Sequence, residues 1–338
     1  MNDPIRIGVL GLTHDHVWSN LEQLRCQPGA LVAGAAEPDS ELRARFAEAF
    51  PEAELHEDAE SFLEAAPLDA VYLFADNRTS AGHGVLAAER GLHCLVEKPM
   101  AADAEGADAF LDAVEKAGVI AMVNWPFAWW PQLQEAIRLA ESGAIGRLWQ
   151  VTYRAAHQGP AELGCSKQFV EWLYDERRNG AGATMDYCCY GAVLARTLLG
   201  ETDRVTGFMS SLVKEAIPVE DNGLMVMEYP RAIATAQGSW TQIGALTSYQ
   251  TVLYGEQGTL LVGPGHDGSL QIATADDESG HPLEVPAPAP ELCDSAAHFL
   301  WLLRGGGAVH PLCDPRHARD AQRMLQIGID SDQKRRLF

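Results

Sequence analysis

Short apolar runs alternate with amphipathic stretches through the first third of the chain. Residues 5–10 (IRIGVL), 31–36 (LVAGAA), 70–74 (AVYLF), 93–96 (HCLV) and 120–123 read as buried strands. Between them, 18–25, 40–50, 80–90 and 103–117 have helical period, with Ser40 a candidate N-cap and Gly91 closing the third. Apolar strands separated by helices of this length belong to a parallel sheet covered on both faces. Residues 1–123 therefore predict a doubly wound, Rossmann-type α/β domain.

The texture changes after a further helix at 132–141. Runs at 148–154, 204–212, 224–229, 233–240, 249–254 and 259–262 follow one another with few helices between them. That order predicts a mostly antiparallel sheet in an α+β domain spanning 124–338. One helix is expected at about 184–199, two more close the chain near 291–303 and 315–328, and 281–290 (HPLEVPAPAP) reads as a Pro-rich surface connection.

Composition narrows the function. Lys and Arg number 25 against 47 Asp and Glu, a formal charge of −22. Such a field repels phosphate backbones and anionic lipid, so nucleic-acid and membrane partners are not expected. Seven cysteines without a Cys-x-x-Cys pair suit a reduced, cytoplasmic protein. The N-terminal apolar run is too short for a signal peptide, and no stretch approaches the roughly 20 residues of a membrane span.

Three places carry candidate chemistry. Glu97-Lys98-Pro99 follows a strand at the carboxyl edge of the sheet, where doubly wound folds bind ligands. It reads either as a solvated charge pair before a turn proline or as a lysine beside a cofactor ring. In Gly180-Ala-Gly-Ala-Thr-Met-Asp186-Tyr-Cys-Cys-Tyr190, Asp186 and Tyr190 stand at i and i+4, on one helix face. The pair is either a helix-surface hydrogen bond or, with a cation such as Lys98 stabilising the phenolate, an acid/base. Glu37 ends the second strand, where a carboxylate accepts from an adenosine ribose and repels a 2′-phosphate; it reads equally as a turn residue. The ribose reading favours NAD, with NADP second.

These motifs follow in an order that resembles the family of glucose–fructose oxidoreductase, inositol dehydrogenase and their relatives. The resemblance spans nearly the whole chain and rests on Gly8-Val-Leu-Gly11, Glu37-Pro-Asp, Glu97-Lys98-Pro99 and Gly180-x-Gly182-x-x-x-Asp186-x-x-x-Tyr190. It implies an NAD(P)-dependent oxidoreductase that moves hydride to or from a hydroxyl-bearing carbon of a sugar, polyol or dihydrodiol. It implies also a C-terminal sheet used for a homodimer or homotetramer. By position, Lys98 polarises the reacting oxygen, Asp186 holds a substrate hydroxyl or orients the acid/base, and Tyr190 is that acid/base. Many relatives have His at this place, and the glucose–fructose oxidoreductase and dihydrodiol dehydrogenase branches resemble this chain in having Tyr. Gly11, Leu12, Thr13, His14 and Glu37 are the expected cofactor contacts from the first two strands. Ala75, Asn77, Glu97 and Lys98 are those from the next two. Substrate contacts are expected from Asp186, Tyr190, His157 and Trp125.

The chain departs from the family pattern at three places. Val193 stands where a further Asp is frequent. The usual arginine after the sixth strand is missing, and Trp125, Phe127, Trp129 and Trp130 crowd that segment. Thr13 and His16 occupy the second and third positions of Gly-x-Gly-x-x-Gly. Thr13 could cap the helix or donate to phosphate, and His14 and His16 could donate as well. No metal is expected at His14-x-His16, because residues i and i+2 diverge on a helix and no matched ligands lie nearby in sequence. The departures leave two further readings open, a nucleotide-binding regulator without turnover and an NAD-dependent glycosidase.

Overall fold

The computed structural model describes residues 3–336. Its first half runs β1 (Ile5–Leu10), α1 (His16–Arg25), β2 (Ala30–Ala36), α2 (Ser40–Ala49), β3 (Glu54–His56), α3 (Ala59–Ala65), β4 (Ala70–Leu73), α4 (Asn77–Glu89), β5 (His93–Glu97), α5 (Ala104–Ala117) and β6 (Ala121–Asn124). The six strands are all parallel, in the order β3-β2-β1-β4-β5-β6. This is the expected doubly wound sheet, with Val9, Val71, Leu73 and Leu95 buried at its centre.

Capping decides where the helices begin. Asp39, not Ser40, is the N-cap of α2, accepting from the backbone N–H groups of Glu41 and Leu42. Asp103 caps α5 in the same way at Gly106, and Gly118 ends that helix in a left-handed conformation (φ 66°). β3 and α3 were not expected: β3 is three residues of mixed polarity at the sheet edge, too short to show a period.

The second half continues with α6 (Pro131–Glu141), β7 (Leu148–Ala156), α7 (Lys167–Leu173), α8 (Glu176–Asn179), a π-helical turn (Thr184–Cys188) and α9 (Cys189–Leu199). Then follow β8 (Arg204–Ser210), β9 (Asn222–Tyr229), β10 (Ala232–Ser239), β11 (Gln250–Gly255), β12 (Gly258–Val262), β13 (Leu270–Thr274), β14 (Asp277–Pro282), α10 (Ser295–Leu303) and α11 (Pro315–Arg336). The eight strands form one sheet, in the order β14-β13-β12-β11-β7-β10-β9-β8. Every pair is antiparallel except β7 with β10.

One face of this sheet is closed by α9 and α11. Val151, Tyr153, Met225, Met227, Ala234 and Ala236 point into that layer. Gly191 lets α9 come close, since a Cβ there would lie 2.4 Å from the Cβ of Ala236. The opposite face alternates half-buried residues such as Thr152, Val226 and Val252 with exposed Phe208 and Ile233. The hairpin β13–β14 escaped the sequence reading because its second strand, DESGHP, is polar and sits at the sheet edge. The segment read as a Pro-rich connection from 281 thus begins inside β14, which ends at Pro282.

Candidate active site

The β1–α1 turn is set by Gly11. Its φ of 86° is costly for other residues, and a Cβ there would meet Ala75 at 2.5 Å. The following N–H, of Leu12, donates to Glu37 Oε2 at 2.6 Å, and Asp39 N–H donates to Oε1 at 2.9 Å. Burial pushes the Glu37 carboxyl above the usual glutamate range, and these two bonds oppose that shift. Thr13 does not cap the helix; its hydroxyl is buried and has no hydrogen-bond partner among the described residues. His14 is buried, its ring 4.6 Å from that of Phe169 and 5.5 Å from that of Trp172. Burial holds this imidazole well below the ordinary histidine range.

The segment from Ser166 to Gly180, which carries α7 and α8, lies across the carboxyl edge of the Rossmann sheet. Ser166 N–H donates to Asp15, and the Trp172 indole N–H donates to the Thr13 carbonyl at 3.2 Å. Asn77 Nδ2 donates to both the carbonyl and Oδ1 of Asn179, while Arg178 pairs with Asp76 at 3.0 Å. Leu12, His14, Glu37, Ala75, Asn77, Glu97 and Lys98 are each no more than 8% exposed, His14 and Asn77 through contacts with this segment. Neither α7 nor α8 was expected from sequence, because seven-residue and four-residue helices show little period.

Lys98 follows β5 and reaches across to the second domain. Its Nζ is 2.7 Å from Asp186 Oδ1 and also donates to the Asp186 carbonyl at 3.2 Å. Asp186 Oδ2 accepts from the Trp240 indole at 3.1 Å. Burial works against both charges, but the Lys98 ammonium more than offsets it and holds the Asp186 carboxyl below its usual range. The carboxylate in turn raises Lys98 above the ordinary lysine value. The pair is therefore ionised throughout the neutral range.

The expected pairing of Asp186 with Tyr190 on one α-helical face does not form. Residues 184–188 make a π turn, whose extra residue breaks the i, i+4 register and sends Asp186 toward Lys98. Tyr190 packs instead among aromatic rings: stacked on Tyr153 at 5.6 Å, and edge-on to Trp125 at 5.4 Å and Phe127 at 5.0 Å. Lys98 Nζ lies 5.1 Å from the centre of the Tyr190 ring. Burial pushes the Tyr190 phenol well above the tyrosine range, so Lys98 does not hold it as a phenolate here. Trp125 is a wall of this cluster.

His157, an expected substrate contact, belongs to a chain of polar groups that the sequence reading missed. Its Nδ1 accepts from Gly159 N–H at 2.8 Å, leaving Nε2 to meet Tyr187 Oη at 2.5 Å. Tyr187 Oη is in turn 2.9 Å from Tyr249 Oη. Tyr249 is the one non-glycine residue with positive φ (53°) among the described residues, a conformation with no sequence signal. Tyr187 was in plain view beside Asp186, yet its neighbours lie 30 and 62 residues away, just after β7 and just before β11.

The groups present fit a dinucleotide in kind. The left-handed Gly11 turn leads into α1, the unpartnered Thr13 hydroxyl sits at that helix mouth, and Glu37 ends β2. The 166–180 segment packs beside this turn through Ser166 on Asp15 and Trp172 on the Thr13 carbonyl. At the other end of the turn, His16 Nδ1 is 3.0 Å from Glu97 Oε1, a partner the sequence did not show.

A Rossmann sheet ending in a buried lysine–carboxylate pair, joined to a large open sheet, defines a two-domain oxidoreductase. Residues 5–125 match the oxidoreductase family with the NAD-binding Rossmann fold, and residues 133–261 match the GFO/IDH/MocA C-terminal domain. The chain belongs to the Gfo/Idh/MocA oxidoreductase family. It is 27% identical over 325 residues to D-apiose dehydrogenase of Paraburkholderia graminis, covering 90% of this chain and 80% of the relative. It is 23% identical over 267 residues to levoglucosan dehydrogenase of Pseudarthrobacter phenanthrenivorans, covering 72% and 68%. In fold it is similar to aldose–aldose oxidoreductase of Caulobacter crescentus, with TM-score 0.79, 20% identity and 98% of both chains covered. A levoglucosan dehydrogenase crystallised with NADH and levoglucosan superposes equally well, with TM-score 0.79, 20% identity and 98% of both chains covered.

Proposed function

We propose that the protein is an NAD-dependent dehydrogenase acting on a hydroxyl-bearing carbon of a sugar or sugar-like polyol. The observation that carries this reading is the buried 2.7 Å pair of Lys98 and Asp186 at the carboxyl end of β5. The curated relatives named above are dehydrogenases of sugars and anhydrosugars, which favours hydride transfer over regulation or glycoside cleavage.

Bound NAD+ would supply the hydride acceptor, held by the Gly11–Thr13 turn, Glu37 and the end of β5. Lys98 stabilises negative charge developing on the substrate oxygen, in a site too dry for water to screen it. Asp186, fixed by Trp240, keeps the ammonium aimed and ionised. Tyr190 exchanges the hydroxyl proton. Because burial keeps its phenol neutral, it is poised as the donor in the reductive direction. Trp125 and Tyr187 pack against Tyr190, and His157 meets Tyr187, which makes them the side chains a substrate at Tyr190 would meet.

The exposed face of the eight-stranded sheet, with Phe208 and Ile233, supports a homodimer or homotetramer, to be read by light scattering. Seven free cysteines support a reducing compartment such as the cytoplasm. No described helix is long and apolar enough to cross a membrane. The test is a titration with NADH and NADPH followed by quenching of the eight tryptophans. Tight NADH binding with NADPH at least about tenfold weaker supports the reading, as Glu37 would repel the 2′-phosphate. Binding of neither nucleotide sinks it.

A further inference from the structure

His14, His16 and Glu97 converge although 81 residues separate His16 from Glu97. Each offers one donor atom, and the three atoms lie within 4.8 Å of one another. We propose that these three side chains bind a divalent transition-metal ion at the mouth of α1.

The distances are close to what coordination needs. Metal bonds of about 2.0–2.2 Å put the donors of a tetrahedral ion such as zinc roughly 3.4 Å apart, and those of an octahedral ion roughly 3 Å apart as neighbours and roughly 4.2 Å when opposite. His16 Nδ1 and Glu97 Oε1, at 3.0 Å, already stand as neighbours. The outermost pair, within 4.8 Å, needs to close by roughly 0.6 Å to fill opposite positions of an octahedral ion and by roughly 1.4 Å for tetrahedral zinc. His14 Nδ1 now accepts the His16 N–H at 3.2 Å, the long end of the hydrogen-bond range, so a metal bond displaces little.

The surroundings hold the donors in place. Glu97 Oε2 accepts from Asn124 Nδ2 at 2.8 Å, and Asn124 Oδ1 accepts from the Trp129 indole at 3.0 Å. Such outer partners fix ligand orientation in metal sites. His14 is clamped by Phe169 and Trp172. A cavity of about 220 Å³, lined by His16, Asn20, Asn124, Trp129, Trp130 and His266, opens beside His16 and gives a path for an ion and its waters. The half positive charge at the α1 N-terminus and the Lys98 ammonium, which already acts on His14, oppose a cation; the Glu97 carboxylate at the site and Asp186, paired with Lys98, offset them. Two imidazoles with one carboxylate suit zinc, manganese, iron or cobalt better than magnesium or calcium.

The probes are Zn2+ by calorimetry and Co2+ by its visible d–d absorption, on metal-stripped protein without nucleotide. One ion per chain, with affinity falling at least about tenfold in both His16→Ala and Glu97→Gln, is the expected result; even outer-shell losses cause that much. His16 is partly exposed and Gln is nearly isosteric with Glu, so circular dichroism should show both variants folded. Failure of the wild type to bind either ion, or undiminished affinity in the two folded variants, overturns the proposal. Hydride transfer plays no part in this measurement, so the dehydrogenase reading stands or falls separately.

Discussion

Lys98 and Asp186 form a buried ion pair, 2.7 Å apart, across the junction of the two sheets. Removing one partner leaves a desolvated charge. Lys98→Met is therefore expected to destabilise the fold by about 3–5 kcal/mol, measured by urea unfolding, and to abolish turnover. The double variant Lys98→Met/Asp186→Asn should regain much of that stability while staying inactive.

The same pair sets a pH window. The Asp186 carboxyl is held below its unfolded value near 3.9, so its contribution is present above that value and lost as pH falls through the folded one. Lys98 is raised above its unfolded value near 10.4, so its contribution is complete below that and fades only at higher pH. Stability from the pair should be flat from about pH 5 to 9. In the Asp186→Asn variant the acid limb of the melting-temperature profile should lose its steepness.

Tyr190→Phe separates chemistry from packing. The Tyr190 hydroxyl makes no hydrogen bond among the described residues, so its loss should change stability by less than about 1 kcal/mol. Turnover on a proven substrate should fall by about 10²–10⁴-fold. Undiminished turnover would remove Tyr190 from the mechanism and direct attention to Tyr187.

Asn179 holds the covering segment down. It is wholly buried, receives Asn77 Nδ2 at 2.8 Å and donates to the Leu173 and Ala181 carbonyls. Asn179→Ala should cost about 1–3 kcal/mol for each polar group left unpaired. Hydrogen exchange should speed up through residues 166–180 before it does so in the Rossmann sheet.

Glu37 should govern nucleotide choice. Glu37→Gln removes the charge but keeps an acceptor for Leu12 N–H, so the preference for NADH over NADPH should shrink below tenfold, the threshold set by the ribose argument. Burial raises the wild-type carboxyl, so on acidification the NADPH penalty should relax before pH reaches the ordinary glutamate value of about 4.3.

Much of the fold was legible because buried parallel strands are short apolar runs, and 70–73 or 93–97 can hardly be anything else. Lys98 and Asp186 were legible as separate residues through their motifs. Their direct contact was not, because it depends on a π turn that no local pattern announces. Glu97 and His16 were likewise read apart, since only the packing of β5 beside the start of α1 brings them within 3.0 Å. The helix α7 is too short to show a period, and its role is equally hidden, since it lies in Phe169 and Trp172 meeting His14, a contact across more than 150 residues.

The place of β7 has a consequence for how the chain is made. All six Rossmann strands have emerged by residue 124, so that sheet can close early in synthesis. β7, the first strand of the other sheet, lies between β10 and β11, and its register partners arrive 83 to 107 residues later. At ribosomal speed, roughly 5–20 residues per second, that is roughly 5–20 s with both of its edges unpaired. A strand with Val151 and Tyr153 on one face, waiting that long, is exposed to other nascent chains, and a chaperone that shields it would serve yield rather than the final shape.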